Sequence, residues 1–129
     1  MFIVGECCSG KTSLASVIGN AAIAKGARVL YSRLDDFIFS YKTKNRFWNK
    51  ILESDLLILD DFFYTKPTEE ELLLINKNLM FLNETRSIVI ITNRQLSLWK
   101  EMDVDKHLVE TFQKRMLNDA QIITLKVTE

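Results

Sequence analysis

The sequence predicts an α/β fold: a three-layer sandwich with a five-stranded parallel sheet and helices on both faces. Three observations lead there. Short apolar runs alternate with segments of helical periodicity along the chain. The middle runs, Leu56 to Leu59 and Ile88 to Ile91, are apolar without a break, as in strands covered on both sides. Between the first run and the first helix lies Gly5-Glu6-Cys7-Cys8-Ser9-Gly10-Lys11-Thr12, the G-x-x-x-x-G-K-[ST] pattern of a phosphate loop.

In chain order, Phe2-Ile3-Val4 is a short first strand. Leu14, Val17, Ile18, Ala21 and Ala22 recur at helical spacing and predict one buried face, which Lys25-Gly26 terminates. Arg28 to Tyr31 is the second strand, and a helix follows over Leu34 to Tyr41. Lys42, Lys44, Arg46 and Lys50, with Phe47 and Trp48 among them, form a polar, basic stretch before the third strand, Asp55 to Asp60. Pro67-Thr68 opens the next helix, and Thr68 with Glu71 fits a capping box. That helix is expected to turn Leu72, Leu73, Ile75, Leu79 and Phe81 or Leu82 inward. Ser87 to Thr92 is the fourth strand, Asp105 to Asn118 is helical, and Gln121 to Val127 closes the sheet. The 129 residues are read as one domain, 1–129, with no repeat, linker or low-complexity tract.

The loop sequence states its chemistry. A chain of phosphates needs backbone N–H groups at close range, so Gly5 and Gly10 remove side chains and permit positive φ. A helix N-terminus adds a positive dipole end. Lys11 supplies a mobile cation for the outer phosphates, and the Thr12 hydroxyl is suited to Mg²⁺. The expected ATP-binding set is Gly5, Glu6, Cys7, Cys8, Ser9, Gly10, Lys11, Thr12 and Ser13. Cys7 and Cys8 are adjacent, with neither disulfide nor zinc-ligand spacing, and read as fillers at variable loop positions. Asp60 ends an apolar strand at the sheet edge where ligands of open α/β folds bind, so it is expected to join Thr12 at the metal. Asp61 is the candidate general base for an attacking water. Trp99 reads as a packing residue, and His107 has no partners at ligand spacing.

Lys and Arg number 17, as do Asp and Glu, so no global field advertises nucleic acid or an anionic membrane. No apolar run approaches membrane-spanning length, and no leader pattern is read, so a cytoplasmic location without membrane contact is expected.

The phosphate loop, the Leu56-Leu57-Ile58-Leu59-Asp60-Asp61 strand, the following Tyr64…Pro67-Thr68-Glu69-Glu70, and Ile90-Ile91-Thr92-Asn93-Arg94…Trp99 together resemble the IstB/DnaC-like AAA+ ATPases. These are transposition helpers of insertion sequences and bacterial helicase loaders; initiators of the DnaA type are similar to a lesser degree. The resemblance implies an AAA+ P-loop fold and ATP hydrolysis. It also implies that Asn93 is sensor 1, orienting γ-phosphate and water, and that Arg115 is an arginine finger given to a neighbour's ATP. It implies homo-oligomers on nucleotide or DNA, with a transposase or replicative helicase as partner. Family members carry an N-terminal targeting segment and a C-terminal sensor 2 arginine, so the chain is expected to be a trimmed ATPase core with weak hydrolysis. The region after the second strand can face the DNA channel in such assemblies. Lys42, Lys44, Arg46 and Lys50, interleaved with Tyr41, Phe47 and Trp48, are therefore the candidate single-strand contacts. A solvated helix face with those aromatics packed inward is the competing expectation. Two other classes stay open: a small P-loop phosphotransferase, and a non-hydrolysing, nucleotide-gated interaction module.

Overall fold

The computed structural model describes residues 1–6, 9–118 and 120–125. Its elements are β1 (Phe2–Gly5), α1 (Lys11–Ala24), β2 (Val29–Arg33), α2 (Leu34–Thr43), α3 (Arg46–Glu53), β3 (Leu56–Asp60), α4 (Glu69–Thr85), β4 (Ser87–Thr92), α5 (Lys106–Leu117) and β5 (Ile122–Leu125). A short 3-10 helix spans Leu96–Glu101. The five strands form one parallel sheet in the order β2-β3-β4-β1-β5.

Handedness turns that order into layers. From β1 the chain crosses to β2 at the far edge, whereas β2 to β3, β3 to β4 and β4 to β5 all step in the opposite direction. Right-handed crossovers therefore put α1 on one face and the other helices on the second. Burial follows this division. Ile3, Leu56, Ile58, Val89 and Ile91 pack under α1. Phe2, Val4, Leu57, Leu59, Ile88 and Ile90 join the larger core with α2 to α5. Adjacent β1 and β4 thus send their chains to opposite faces, which opens a crevice at their carboxyl ends.

The helices correct several expectations. Helix α1 approaches the sheet through Ala15 and Gly19, flanked by Leu14, Ile18 and Ala22. A Cβ at Gly19 would lie 3.4 Å from Ile58 Cδ1, so the smallest residues set the contact line. Val17 is 65% exposed and Ala21 is exposed too, contrary to the predicted face. In α4, Leu72, Ile75, Leu79 and Leu82 are buried, while Leu73 and Phe81 face outward. The Thr68–Glu71 capping box is formed in both directions, at 3.1 and 3.0 Å. The polar stretch before β3 contains α3, as in the competing expectation of a solvated helix with its aromatics turned inward. Asn45 caps α3 by accepting the Trp48 N–H at 3.1 Å, and Trp48 and Ile51 turn inward. The final strand is described over Ile122–Leu125, beginning one residue after the expected Gln121, and the predicted positions 126 and 127 lie outside the described residues.

Beneath the carboxyl ends of β3 and β4 lies an aromatic cluster. Phe62 stacks on Phe112 and on Trp99, each at 5.7 Å between centroids, and Phe63 meets Trp99 edge-on at 4.8 Å. Trp99 is fully buried, and its indole N–H donates to the Arg94 carbonyl at 3.2 Å, as its reading as a packing residue requires. Phe112→Ala should cost roughly 3–5 kcal/mol, the range for truncating a buried aromatic. Urea denaturation measures it; a loss below about 1 kcal/mol would mean the ring carries little packing energy.

Candidate functional site

β1 ends in a glycine because nothing larger fits. A Cβ at Gly5 would lie 2.5 Å from Ser9 Oγ and 2.7 Å from the Leu125 carbonyl oxygen. The loop closes with Ser9 N–H donating to Glu6 O at 3.2 Å, and enters α1 through Gly10 at φ 89°. Lys11 folds back over it, its ammonium donating to the carbonyls of Gly5 and Glu6 at 2.7 and 2.6 Å. Cys7 and Cys8 lie outside the described residues.

Of the five α-helices among the described residues, α1 alone has neither a side-chain cap nor an acidic residue in its first turn. Its leading N–H groups and dipole end therefore stay available for an anion. Among the described residues, the Ser9 hydroxyl is the buried side-chain polar atom left without a partner. A glycine-tight loop, an uncapped helix start, a lysine and an orphaned hydroxyl fit an oxygen-rich polyanion such as a triphosphate.

Asp60 closes β3 and is buried. Its Oδ1 accepts the Asp61 N–H at 2.7 Å, and its Oδ2 accepts the Tyr31 hydroxyl and stands 3.5 Å from Thr12 Oγ1. Desolvation against the sheet, the hydrogen bond to Asp60 and the charges of Asp60 and Asp61 push the Tyr31 hydroxyl well above the ordinary tyrosine pKa. Thr12 and Asp60 offer a metal one hydroxyl and one carboxylate. No group of three or more His, Cys, Asp or Glu suited to a metal occurs among the described residues. Few protein oxygens suit Mg²⁺, which keeps much of its water and is shared with substrate phosphates.

Asp61 follows in the left-handed region at φ 53°, and Phe63 does so at φ 57°. The turn is closed by Tyr64 N–H on Asp61 O at 3.1 Å and pinned from below. Thr92 Oγ1 donates to Phe62 O at 2.8 Å, and Arg94 Nε donates to Phe63 O at 3.3 Å. The Asp61 carboxylate pairs with Arg33 Nε at 3.3 Å, and the same guanidinium reaches Asp35 at 3.5 Å.

Lys11, Thr12, Asp60, Asp61, Tyr64, Ile91 and Asn93 line one cleft of about 190 Å³ at the carboxyl ends of β1, β3 and β4. The structure thus brings together five of the predicted residues: Lys11, Thr12, Asp60, Asp61 and Asn93. Arg115 is exposed in the last turn of α5 and is not among the residues lining this cleft. Ser13 and Glu6 are exposed beside the loop. A larger cavity, about 620 Å³, opens at the amino edge of the sheet between Phe2, Leu56 and Ile88, with none of the loop or carboxylate residues in its walls.

Lys42, Lys44, Arg46 and Lys50 are exposed around the α2–α3 corner. Trp48, however, is buried against Phe37 and Tyr41, and Lys44 covers the Tyr41 ring at 3.4 Å and Trp48 at 4.7 Å. Trp48 is therefore a core residue rather than a base-stacking platform. The sequence reading missed Tyr31, Arg33 and Arg94 as site residues. The signal for the first two was period-2 alternation on β2, whose register sets Arg33 opposite Asp60.

The model of the IstB-like ATP binding protein family matches residues 1–128. A putative insertion sequence ATP-binding protein of Sinorhizobium fredii is 30% identical over 124 residues, covering 92% of this chain and 42% of that protein. The crystal structure of the DnaC helicase loader superposes with a TM-score of 0.76 at 25% identity, over 98% of this chain and 77% of that one. Replication initiator DnaA bound to AMPPCP and single-stranded DNA gives 0.69 at 28% identity, over 99% of this chain and 40% of that one. The chain spans about half the length of the insertion-sequence relatives it matches.

Gly5→Ala tests the loop without touching any charge. The added methyl should push Ser9 and β5 apart, lowering the melting temperature and weakening tripolyphosphate binding by roughly tenfold or more, the scale of one to two lost hydrogen bonds to a charged group. Wild-type values for both would mean the loop has slack at this point.

Proposed function

Because the chain belongs to the family of IstB-like ATP binding proteins, we propose that it binds ATP with Mg²⁺ in this cleft and hydrolyses it as subunits assemble on DNA. The supporting observation is the convergence of Lys11, Thr12, Asp60, Asp61 and Asn93, from three separate strand ends, on one small cleft.

The residues divide the labour. Loop N–H groups and the α1 dipole hold the β- and γ-phosphates, and Lys11 exchanges the Gly5 and Glu6 carbonyls for phosphate oxygens. Thr12 and Asp60 hold Mg²⁺, which when bound neutralises charge on the transferring phosphoryl group. Asp61 takes a proton from water as the water oxygen bonds to the γ-phosphorus. The bond to the β–γ bridging oxygen breaks, and ADP and phosphate result. To accept that proton, Asp61 must loosen its surface pair with Arg33. Both side chains are about half exposed, so the pair is worth at most about 1 kcal/mol. Asn93, at the end of β4, orients the γ-phosphate and the water.

Arg115, solvent-exposed on α5, is suited to act on a neighbour's ATP and makes homo-oligomerisation part of the mechanism. DNA contact is assigned to Lys42, Arg46 and Lys50, with Lys44 held over Tyr41. With 17 residues of each charge sign, the affinity of one subunit for DNA is weak and salt-sensitive, and repetition around an assembly multiplies it. Likeness to an insertion-sequence protein and to a helicase loader supports a helper role beside a transposase or a replicative helicase.

Lys11→Ala should abolish binding of a fluorescent ATP analogue; unchanged affinity would sink the phosphate-loop assignment. For Asp61→Asn, binding should persist while turnover falls by about 10²–10⁴, the usual contribution of a general base. ATP turnover per subunit, followed over a wide protein concentration range with and without single-stranded DNA, tests assembly. Specific activity should climb with concentration and with DNA, and Arg115→Ala should remove the climb. A flat profile would favour a phosphotransferase or a nucleotide-gated module acting as single chains.

A further inference from the structure

Every described contact to the Asp60 carboxylate comes from a different element. Asp61 N–H, at the start of the turn, holds Oδ1 at 2.7 Å. Thr12, from α1, stands 3.5 Å from Oδ2. Tyr31, from the edge strand β2, donates its hydroxyl to the same Oδ2. The last contact follows from register. Tyr31 pairs with Ile58 across the parallel ladder, and Asp60 lies two residues further along the same face of β3. That diagonal is within reach of a tyrosine and too long for serine or threonine.

Thr12 is the wrong residue to orient Asp60 once a cation is present. Its hydroxyl oxygen is then a ligand, and its proton must turn away. Tyr31 approaches the carboxylate from the opposite strand and has no such conflict. We propose that Tyr31 is the positioning residue of the divalent-cation site: its hydroxyl fixes the Asp60 carboxylate so that Oδ2 presents a lone pair beside Thr12. This rests on the ATP-binding reading of the cleft. The Tyr31 ring is 47% exposed on the sheet edge, so removing only the hydroxyl leaves no buried cavity. The arrangement matches the general rule that partners of a ligating carboxylate set metal affinity while touching neither metal nor substrate.

Tyr31→Phe is the test, with three readouts on the full chain. An N-methylanthraniloyl-ATP titration in EDTA reports nucleotide affinity without metal. The same titration at graded Mg²⁺ gives the cation midpoint, and Mn²⁺ paramagnetic resonance with a non-hydrolysable ATP analogue counts bound cation directly. The expected result is metal-free affinity and melting temperature equal to wild type, with the Mg²⁺ midpoint and Mn²⁺ dissociation constant raised by about tenfold. Equal cation affinity in the two proteins would overturn the proposal. Tighter cation binding would overturn it as well, by showing that the hydroxyl competes with the metal. A fall in metal-free affinity or stability, with no cation-specific loss, would assign Tyr31 a merely structural role. If the wild-type chain itself binds no nucleotide, the ATP reading fails and takes this proposal with it; wild-type binding with an unaffected Tyr31→Phe sinks the proposal alone.

Discussion

The turn after β3 holds its shape because two phenylalanines are anchored in the core. Asp61 and Phe63 both sit at positive φ, which costs a side chain about 1–3 kcal/mol at each position. Phe62 and Phe63 are almost completely buried among Trp99 and Phe112, and leaving that cluster would cost more than the strain. Two hydrogen bonds from the β4 end, Thr92 to Phe62 O and Arg94 to Phe63 O, fix the same backbone. Asp61 is therefore aimed by the core beneath it, and Asn93 stands between the two residues that pin the turn.

The same dependence explains where the cleft opens. β1 and β4 are neighbours whose chains leave for opposite faces, and no crossover covers the gap between them. On one side of the gap α1 begins uncapped, its dipole end unsatisfied. On the other, β3 delivers Asp60 and Asp61 one after the other. Helix α1 carries its layer without a second helix, so it lies close to the sheet along Ala15 and Gly19. That close approach brings Thr12 to within 3.5 Å of Asp60. A bulkier contact line would lift the start of α1 and separate Thr12 Oγ1 from the Asp60 carboxylate.

Charge in the cleft is locally balanced. Lys11 is held by backbone carbonyls, Asp61 by Arg33, and Asp60 by neutral donors. Among the described residues Asp60 has no cationic side-chain partner, which suits it to a divalent cation. Asp61, in a half-exposed ion pair, can be released at small cost.

The sequence determined the layers and located the loop. Uninterrupted apolar runs identified the buried strands, the Thr68–Glu71 box placed a helix start, and glycine spacing with Lys11 and Thr12 marked the loop. These signals are local: backbone conformation and hydrogen-bond demand set them within a few residues. Tertiary structure decided what depends on distant neighbours. Val17, Leu73 and Phe81 fit helical periodicity yet face outward, because the crossovers and helix packing chose which stripe met the sheet. Trp48, open in the sequence to either a base-stacking or a core role, was taken into the core by α3. Tyr31 reached Asp60 through strand register, and Arg94 reached the turn after β3 through the β3–β4 pairing. Period-2 alternation puts Tyr31 and Arg33 on one face of β2, but which strand that face meets is set by the sheet, which joins residues that the chain keeps far apart.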